Sequence, residues 1–425
     1  MDQRAEQIIE GVERRRDQVI AFLQQLVRLN SERGQEGPIQ DFIATALRAR
    51  GLAVDQFVPD VEALKTHPAF QAPDLPLSGR PNVVARYRGT GGGRSLLLNG
   101  HVDTVVAGPP DQWIDGPFSG ARRDAAVYGR GSSDMKAGLA AMTLALGTLL
   151  ELGLGPRGEV LLEYVVDEER TGLGTLACVA KGYRADAGIC CETSDLEVMP
   201  ACIGRLWFTI RLRGKPAGIA ARWESISAID LGMKLVRAID ALEQIRIRTL
   251  THPLFPDNRG ALPCAVTMFN AGSFPSAVPE EAVLRGSMGL MPYEPIDAAK
   301  RQLTEHVRDA AEDDPWMREH PPEVAFDGMA AEGAEIAPDH PIVDALKDRF
   351  RIVAGRPPVI SGRMGAADTR FLIRHGGVPT VIFGPGSTPQ MHAMNEYVPV
   401  DNVIVATKIL ALTIHDWCNG DARGG

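Results

Sequence analysis

Short apolar runs that stop at Gly, Asn, Asp or Glu alternate with helical stretches along this chain, and that alternation limits its fold more than any other feature. PNVVARYRG and RSLLLNGHVDTV read as strands, because β-rich apolar runs there end in turn-forming and polar residues. A glycine-rich turn leads into a helix from Lys136 to Leu152. GEVLLEYVVDEE then reads as a buried strand ending in acids, and RADAGICCET as another short strand. Strands alternating with helices imply an α/β fold, a mostly parallel sheet flanked by helices, whose ligands gather at the carboxyl ends of the strands. Histidine and acidic residues fall at those ends.

A length of 425 residues exceeds what one core usually organises. From about Leu206 the texture changes. RLWFTIRLRG alternates as a strand, Trp223 to Ile245 reads as a helix, PCAVTMFNAG and EAVLRGSMGLMP as strands, Glu294 to Asp313 as a helix, and PPEVAFDG as a closing strand. This β-α-β-β-α-β order describes an inserted α+β domain of the ferredoxin-like type. The α/β pattern resumes from Pro338, with strands around PPVIS and VPTVIFGPG and a helix near Asn402 to Asp416. The expectation is a catalytic domain of residues 1–205 and 329–425 with an inserted domain of 206–328.

A net charge of -9 argues against nucleic acid and against an anionic membrane face, which leaves a small-molecule partner. The first helix carries charges throughout and lacks the apolar stretch of a secretion signal, so a cytoplasmic location is expected. The uncharged, strongly apolar helical run Ala137 to Leu150 falls short of the roughly 20 residues that span a bilayer. Six cysteines show no C-x-x-C spacing and read as buried thiols, not metal ligands.

His101 and Asp103 stand two apart at a strand end, where a period of two puts both on one face. That suits a metal-binding imidazole and a carboxylate that orients it, although H-x-D alone also describes a surface pair. Asp134 lies in GRGSSDMKAG, where glycines permit close approach to an ion; a helix N-cap is the other reading. Glu168 and Glu169 are adjacent, so their side chains diverge and are free to take different tasks, unless both are simply solvated. Glu192, after a strand, offers a fourth ligand, and His392, in a loop, a fifth. Together they form what a two-metal hydrolase needs, imidazole and carboxylate ligands plus one acid free to move protons. Two divalent ions bring a charge of +4; Asp134, Glu169, Glu192 and a bridging hydroxide bring -4, and Glu168 remains to deprotonate the water. Zinc, manganese and cobalt all suit such donors.

At this point the residues resemble a family of two-metal metallopeptidases that includes acetylornithine deacetylase, succinyl-diaminopimelate desuccinylase and glutamate carboxypeptidase. The matching segments are LLLNGHVDTV, GRGSSDMKAGLAA, DEER and VIFGPGSTPQMHAMNEYVPV, and they span nearly the whole chain. The resemblance implies that Asp134 bridges two ions, with His101 and Glu192 on one and Glu169 and His392 on the other. It implies Asp103 behind His101, Glu168 as general base, and a cis peptide bond after Asp134. It also implies a homodimer or larger homo-oligomer paired through the inserted domain.

Three positions depart from the family pattern. Gly218 stands where a histidine usually donates to the tetrahedral oxyanion, Gly289 where an arginine often binds the substrate carboxylate, and Ala366 where a threonine often lines the pocket. Losing an oxyanion donor typically costs 10²- to 10³-fold in turnover. The departures therefore favour hydrolytic deamination of an electron-poor aromatic amine, whose ring stores the charge while ammonia leaves, and the chain resembles the family members that act on amines of the 5-nitroanthranilate type. The alternative is an N-acyl-amino-acid deacylase or carboxypeptidase, and a lesser one is a non-catalytic binding protein on the same scaffold. Arg370, Arg363 and Arg222 are the candidates to hold a substrate carboxylate.

Overall fold

A computed structural model describes residues 2–421. The chain divides into two compact units, the first formed by Met1–Ala201, Glu335–Ser361 and Ala367–Gly425, the second by Cys202–Ala334 and Gly362–Ala366.

The first unit is built on a nine-stranded sheet. In chain order its main strands are β1 (Ala53–Phe57), β2 (Asn82–Tyr87), β3 (Leu96–His101), β4 (Val160–Val165), β5 (Ala187–Cys190), β6 (Val198–Cys202) and β7 (Thr380–Ile382). In space they run β1-β2-β4-β3-β5-β7-β6, followed by Ala334–Glu335, and Ile360–Arg363 also pairs with β6. The four central strands β4, β3, β5 and β7 are parallel. The pairings β1 with β2, β2 with β4, and β7 with β6 are antiparallel. The sheet is thus mixed, parallel only where the site is built. β3, β4 and β5 are buried along their whole length, as strands covered on both faces require. The sequence patterning did not reveal β1 or β6.

Five helices matter here: α1 (Gln3–Arg14), α2 (Arg16–Arg28), α3 (Gly37–Arg48), α4 (Ala137–Glu151) and α5 (Val400–Asn419). The expected single N-terminal helix is two, broken at Arg15. α4 is apolar all round because it is buried all round: α1, α2 and α5 pack against it, and Ala137 through Leu149 are inaccessible. No helix among the described residues is long and apolar enough to cross a membrane. All six cysteines are buried, and none is in a disulfide bond.

The second unit has an antiparallel sheet ordered Cys264–Ala271, Glu281–Leu290, Gly204–Arg213, Glu323–Ala325. Leu206, Phe208, Ile210 and Leu212 alternate inward against the helices Ala228–Thr249 and Ile296–Glu312, while Trp207, Arg211 and Arg213 face out. The helix expected from Trp223 begins at Ala228, where the Ser227 hydroxyl accepts from the Asp230 amide (3.3 Å). Residues Ile219–Glu224 form a 3-10 turn instead.

Candidate metal centre

The parallel strands deliver the candidate ligands at their carboxyl ends. β3 ends on His101, Glu168 and Glu169 follow β4, and Glu192 follows β5. Asp134 lies in the turn that feeds α4, just before a cis peptide bond to Met135. His392 sits in a loop after β7 with φ of 60°, a left-handed conformation uncommon for a residue with a side chain.

The buried His101 donates from Nδ1 to the peptide oxygen of Asp103 (2.8 Å), which turns Nε2 toward the acids. That Nε2 stands 3.2 Å from Asp134 Oδ1 and 3.3 Å from Glu192 Oε1. His392 Nε2 stands 3.4 Å from Asp134 Oδ2 and 3.1 Å from Glu169 Oε2. Asp134 therefore turns one oxygen toward each histidine–carboxylate pair. Atoms arranged tetrahedrally about 2.0 Å from an ion lie about 3.3 Å apart, so each of these four histidine–carboxylate contacts has the spacing of two donors on one ion. His101 also forms candidate ion-holding groups with Asp134 and Glu169 and with Glu168 and Glu192. Glu168 reaches to 4.0 Å from His101 Nε2, further than the other acids.

Asp103 differs in detail from the sequence expectation. Its peptide oxygen, not its carboxylate, is the partner of His101; the carboxylate oxygen lies 3.8 Å from Nδ1. The carboxylate accepts instead from the amides of Glu168 (3.2 Å) and Glu169 (3.1 Å), holding both acids by their backbone.

So many acids in so little space distort their proton affinities. Burial, followed by neighbouring carboxylates, raises Glu168 well above the ordinary carboxylate range; burial likewise lifts Asp103 to about 7. Desolvation opposes a charged His101, yet the hydrogen bonds of Asp134 and Glu192 hold it well above its usual value. Asp134 and then Glu169 raise His392 to about 10. Carboxylates that pull so strongly on protons suit a cation in the same place.

Sequence reasoning missed the groups that hold this cluster. Arg80, fully buried, bonds Glu36 (2.6 Å) and Asp167 (3.0 Å), and Asp167, with φ of 68°, turns the chain into Glu168. Behind His101 runs a buried polar chain: Asn99 donates to Glu163 (3.0 Å) and Thr175 (3.1 Å), and Thr175 donates to Asp368 (2.6 Å). Glu396 is buried beside Asp134. It stands four residues after His392, inside a segment whose histidine alone drew attention.

The substrate-side candidates fare differently. Arg370 is in the first unit, but its guanidinium donates to the peptide oxygens of Ala367 and Thr171, both at 3.0 Å, and is engaged by the protein itself. Arg363 is buried and Arg222 exposed, both in the second unit, as are Gly218, Gly289 and the half-buried Ala366. Gly289 does not open space. A Cβ there would lie 2.3 Å from the Ala261 oxygen, so packing in its strand demands glycine. At Gly218 a Cβ would meet nothing within 4 Å, so the position leaves its surroundings open and specifies no ring.

Residues 97–416 match peptidase family M20/M25/M40. The chain is 29% identical to N-formyl-4-amino-5-aminomethyl-2-methylpyrimidine deformylase of Halalkalibacterium halodurans, over 97% of both chains. It is 28% identical to succinyl-diaminopimelate desuccinylase of Paracoccus denitrificans, over 79% of this chain and 86% of that one. Its fold resembles a Bacillus subtilis dinuclear metal-binding peptidase of the M20 family, with a TM-score of 0.66, 16% identity, and coverage of 96% of this chain and 99% of that one. The names of these sequence relatives describe removal of an acyl group. They give no support to the expected ring deamination and favour the deacylase alternative. A match that spans most of the sequence places this chain, with its candidate ligands at strand ends, in peptidase family M20/M25/M40, as a metal-dependent hydrolase of carbon–nitrogen bonds.

Proposed function

We propose that the protein hydrolyses a small N-acyl amide, with formamides as the leading substrate class, at a centre of two divalent ions. The division of the two Asp134 oxygens between two histidine–carboxylate pairs carries this reading. Asp134 would be shared between the two ions, His101 and Glu192 would hold one and Glu169 and His392 the other, and zinc, manganese or cobalt fits the donors. When bound, the ions polarise the amide carbonyl and make water acidic enough to give up its proton near neutral pH.

The protein's own residues do the rest. Glu168 takes the proton of the attacking water and delivers it to the amide nitrogen as the carbon–nitrogen bond breaks, so that acid and amine leave together. A raised proton affinity suits that double role. Asp103 fixes the amides of Glu168 and Glu169 and thereby keeps the base in register with the adjacent ligand.

Two observations favour a formamide over an acylated amino acid. Similarity extends along the full length of the deformylase but not of the desuccinylase. Gly289 and Ala366 also stand where residues that grip an amino-acid substrate are expected. A formyl carbon carries only hydrogen beside its amide and is the least hindered acyl centre, so it asks less of an oxyanion donor that Gly218 does not provide. The second unit we read as a pairing surface between subunits, because its edge strand Cys264–Ala271 leaves Met268 and Phe269 exposed.

The deciding assay offers N-formyl aminomethyl heteroaromatics, N-acetyl and N-succinyl amino acids, and aminobenzoates, with released carboxylate and ammonia both measured. Formate release that outpaces every other reaction supports the reading. Efficient turnover of acylated amino acids with inert formamides would overturn the substrate class.

A further inference from the structure

Glu396 has an environment that the proposed chemistry does not use directly. Its side chain is buried completely, yet four donors converge on it. Oε1 accepts from the amides of Ser133 (2.8 Å) and Asp134 (3.0 Å). Oε2 accepts from the amide of Gly131 (2.9 Å) and from Arg130 Nη1 (2.8 Å). The other terminal nitrogen of Arg130 reaches the peptide oxygen of His392 (3.4 Å). One carboxylate therefore ties together the two loops that bear Asp134 and His392.

Those loops need such a tie. The Gly131–Asp134 segment departs from helical geometry, with Gly131 at φ of 80° and Asp134 at φ of -117° and ψ of 95°, so its amides have no helical ladder to satisfy them. Buried amides without acceptors are costly, and a carboxylate accepting several at once is among the stronger ways to satisfy them. His392, in the left-handed region, equally requires its surroundings to hold it.

We infer that Glu396 is a positioning residue which presets Asp134, and through Arg130 also His392, in the arrangement that receives the ions. The inference rests on the two-ion reading of the site. Glu396 touches neither ion nor substrate; it acts through the loop amides and the Arg130 guanidinium.

The test compares metal-free wild type with Glu396→Gln and Arg130→Lys. Zinc affinity is measured by competition with a chromophoric chelator, alongside thermal unfolding of the metal-free proteins and kcat and KM at saturating zinc. In Glu396→Gln an amide NH₂ must face donors where an oxygen accepted, so zinc affinity should fall 10- to 100-fold in protein that remains folded, with kcat lowered and KM near that of wild type. Arg130→Lys keeps the charge but loses the fork to His392, and should weaken one ion by about tenfold and spare the other. Wild-type affinity for both ions in folded Glu396→Gln overturns the inference, as does an affinity loss that only tracks the unfolded fraction. Should Glu396→Gln not fold, unchanged affinity in Arg130→Lys overturns it. If wild type itself binds no zinc, the two-ion reading fails, and this inference with it.

Discussion

At the scale of single residues, the site separates two neighbours that the sequence presents as equals. Glu169 lies 3.1 Å from His392 Nε2, while Glu168 keeps 4.0 Å from His101. Glu168→Gln should therefore bind both ions and lose 10²- to 10⁴-fold in kcat, since only proton transfer is removed. Metal analysis of the purified variant checks this, and loss of an ion along with activity would reverse the roles of the two acids. Glu163 offers a prediction about pH. Burial raises it to about 8, partly offset by the hydrogen bond from Asn99. The folded state then holds a proton that the unfolded chain loses near 4.5, so stability falls as pH rises between about 4.5 and 8. Glu163→Gln removes that dependence. Its melting temperature should gain on wild type at pH 9 relative to pH 5, and parallel curves at both pH values would contradict the argument.

At the scale of elements, the close approach of α4 to the end of β5 sets the distance between Asp134 and Glu192. Gly138, in the first turn of α4, permits it: a Cβ there would lie 1.8 Å from the Cys191 oxygen, a backbone atom that cannot swing aside. Gly147, later in the same helix, would meet only the Arg50 side chain, at 3.3 Å and beyond. Gly138→Ala should lower stability by more than the roughly 1–3 kcal/mol typical of overpacking and weaken metal binding. Gly147→Ala should be neutral or gain up to about 1 kcal/mol from helix propensity. Equal melting temperatures for the two variants would show that the contact at Cys191 does not govern the element. The strands and helices around these glycines were legible because periods of two and 3.6 are local. The break at Arg15, and the strands β1 and β6 at the antiparallel margins of the sheet, were not.

At the scale of the whole molecule, the proposed assignment makes metal and proton compete for the same groups. Neighbouring carboxylates raise His392 to about 10 and hold His101 well above its usual value, so an ion taken up there has protons to displace. Zinc affinity should accordingly be tighter at pH 8 than at pH 6, and an affinity independent of pH would contradict the assignment of the histidines. Chelation should abolish activity and lower the melting temperature by several degrees, because ions at 1,000 times their Kd stabilise the folded state by about 4.1 kcal/mol. Restoring one kind of divalent ion should recover both.

The sequence by itself determined the alternation of strands and helices, the inserted β-α-β-β-α-β unit, and the presence of acids and histidines at strand ends, because each is written in neighbouring residues. Only the tertiary structure decided which atoms meet. Asp103, two residues from His101, has its carboxylate on the amides of Glu168 and Glu169, since the left-handed turn at Asp167 brings those donors to it. Glu396 reaches Asp134 across a separation of 262 residues. Burial makes each such donor and acceptor find a partner, but which partner depends on how distant segments approach, and no local period records that.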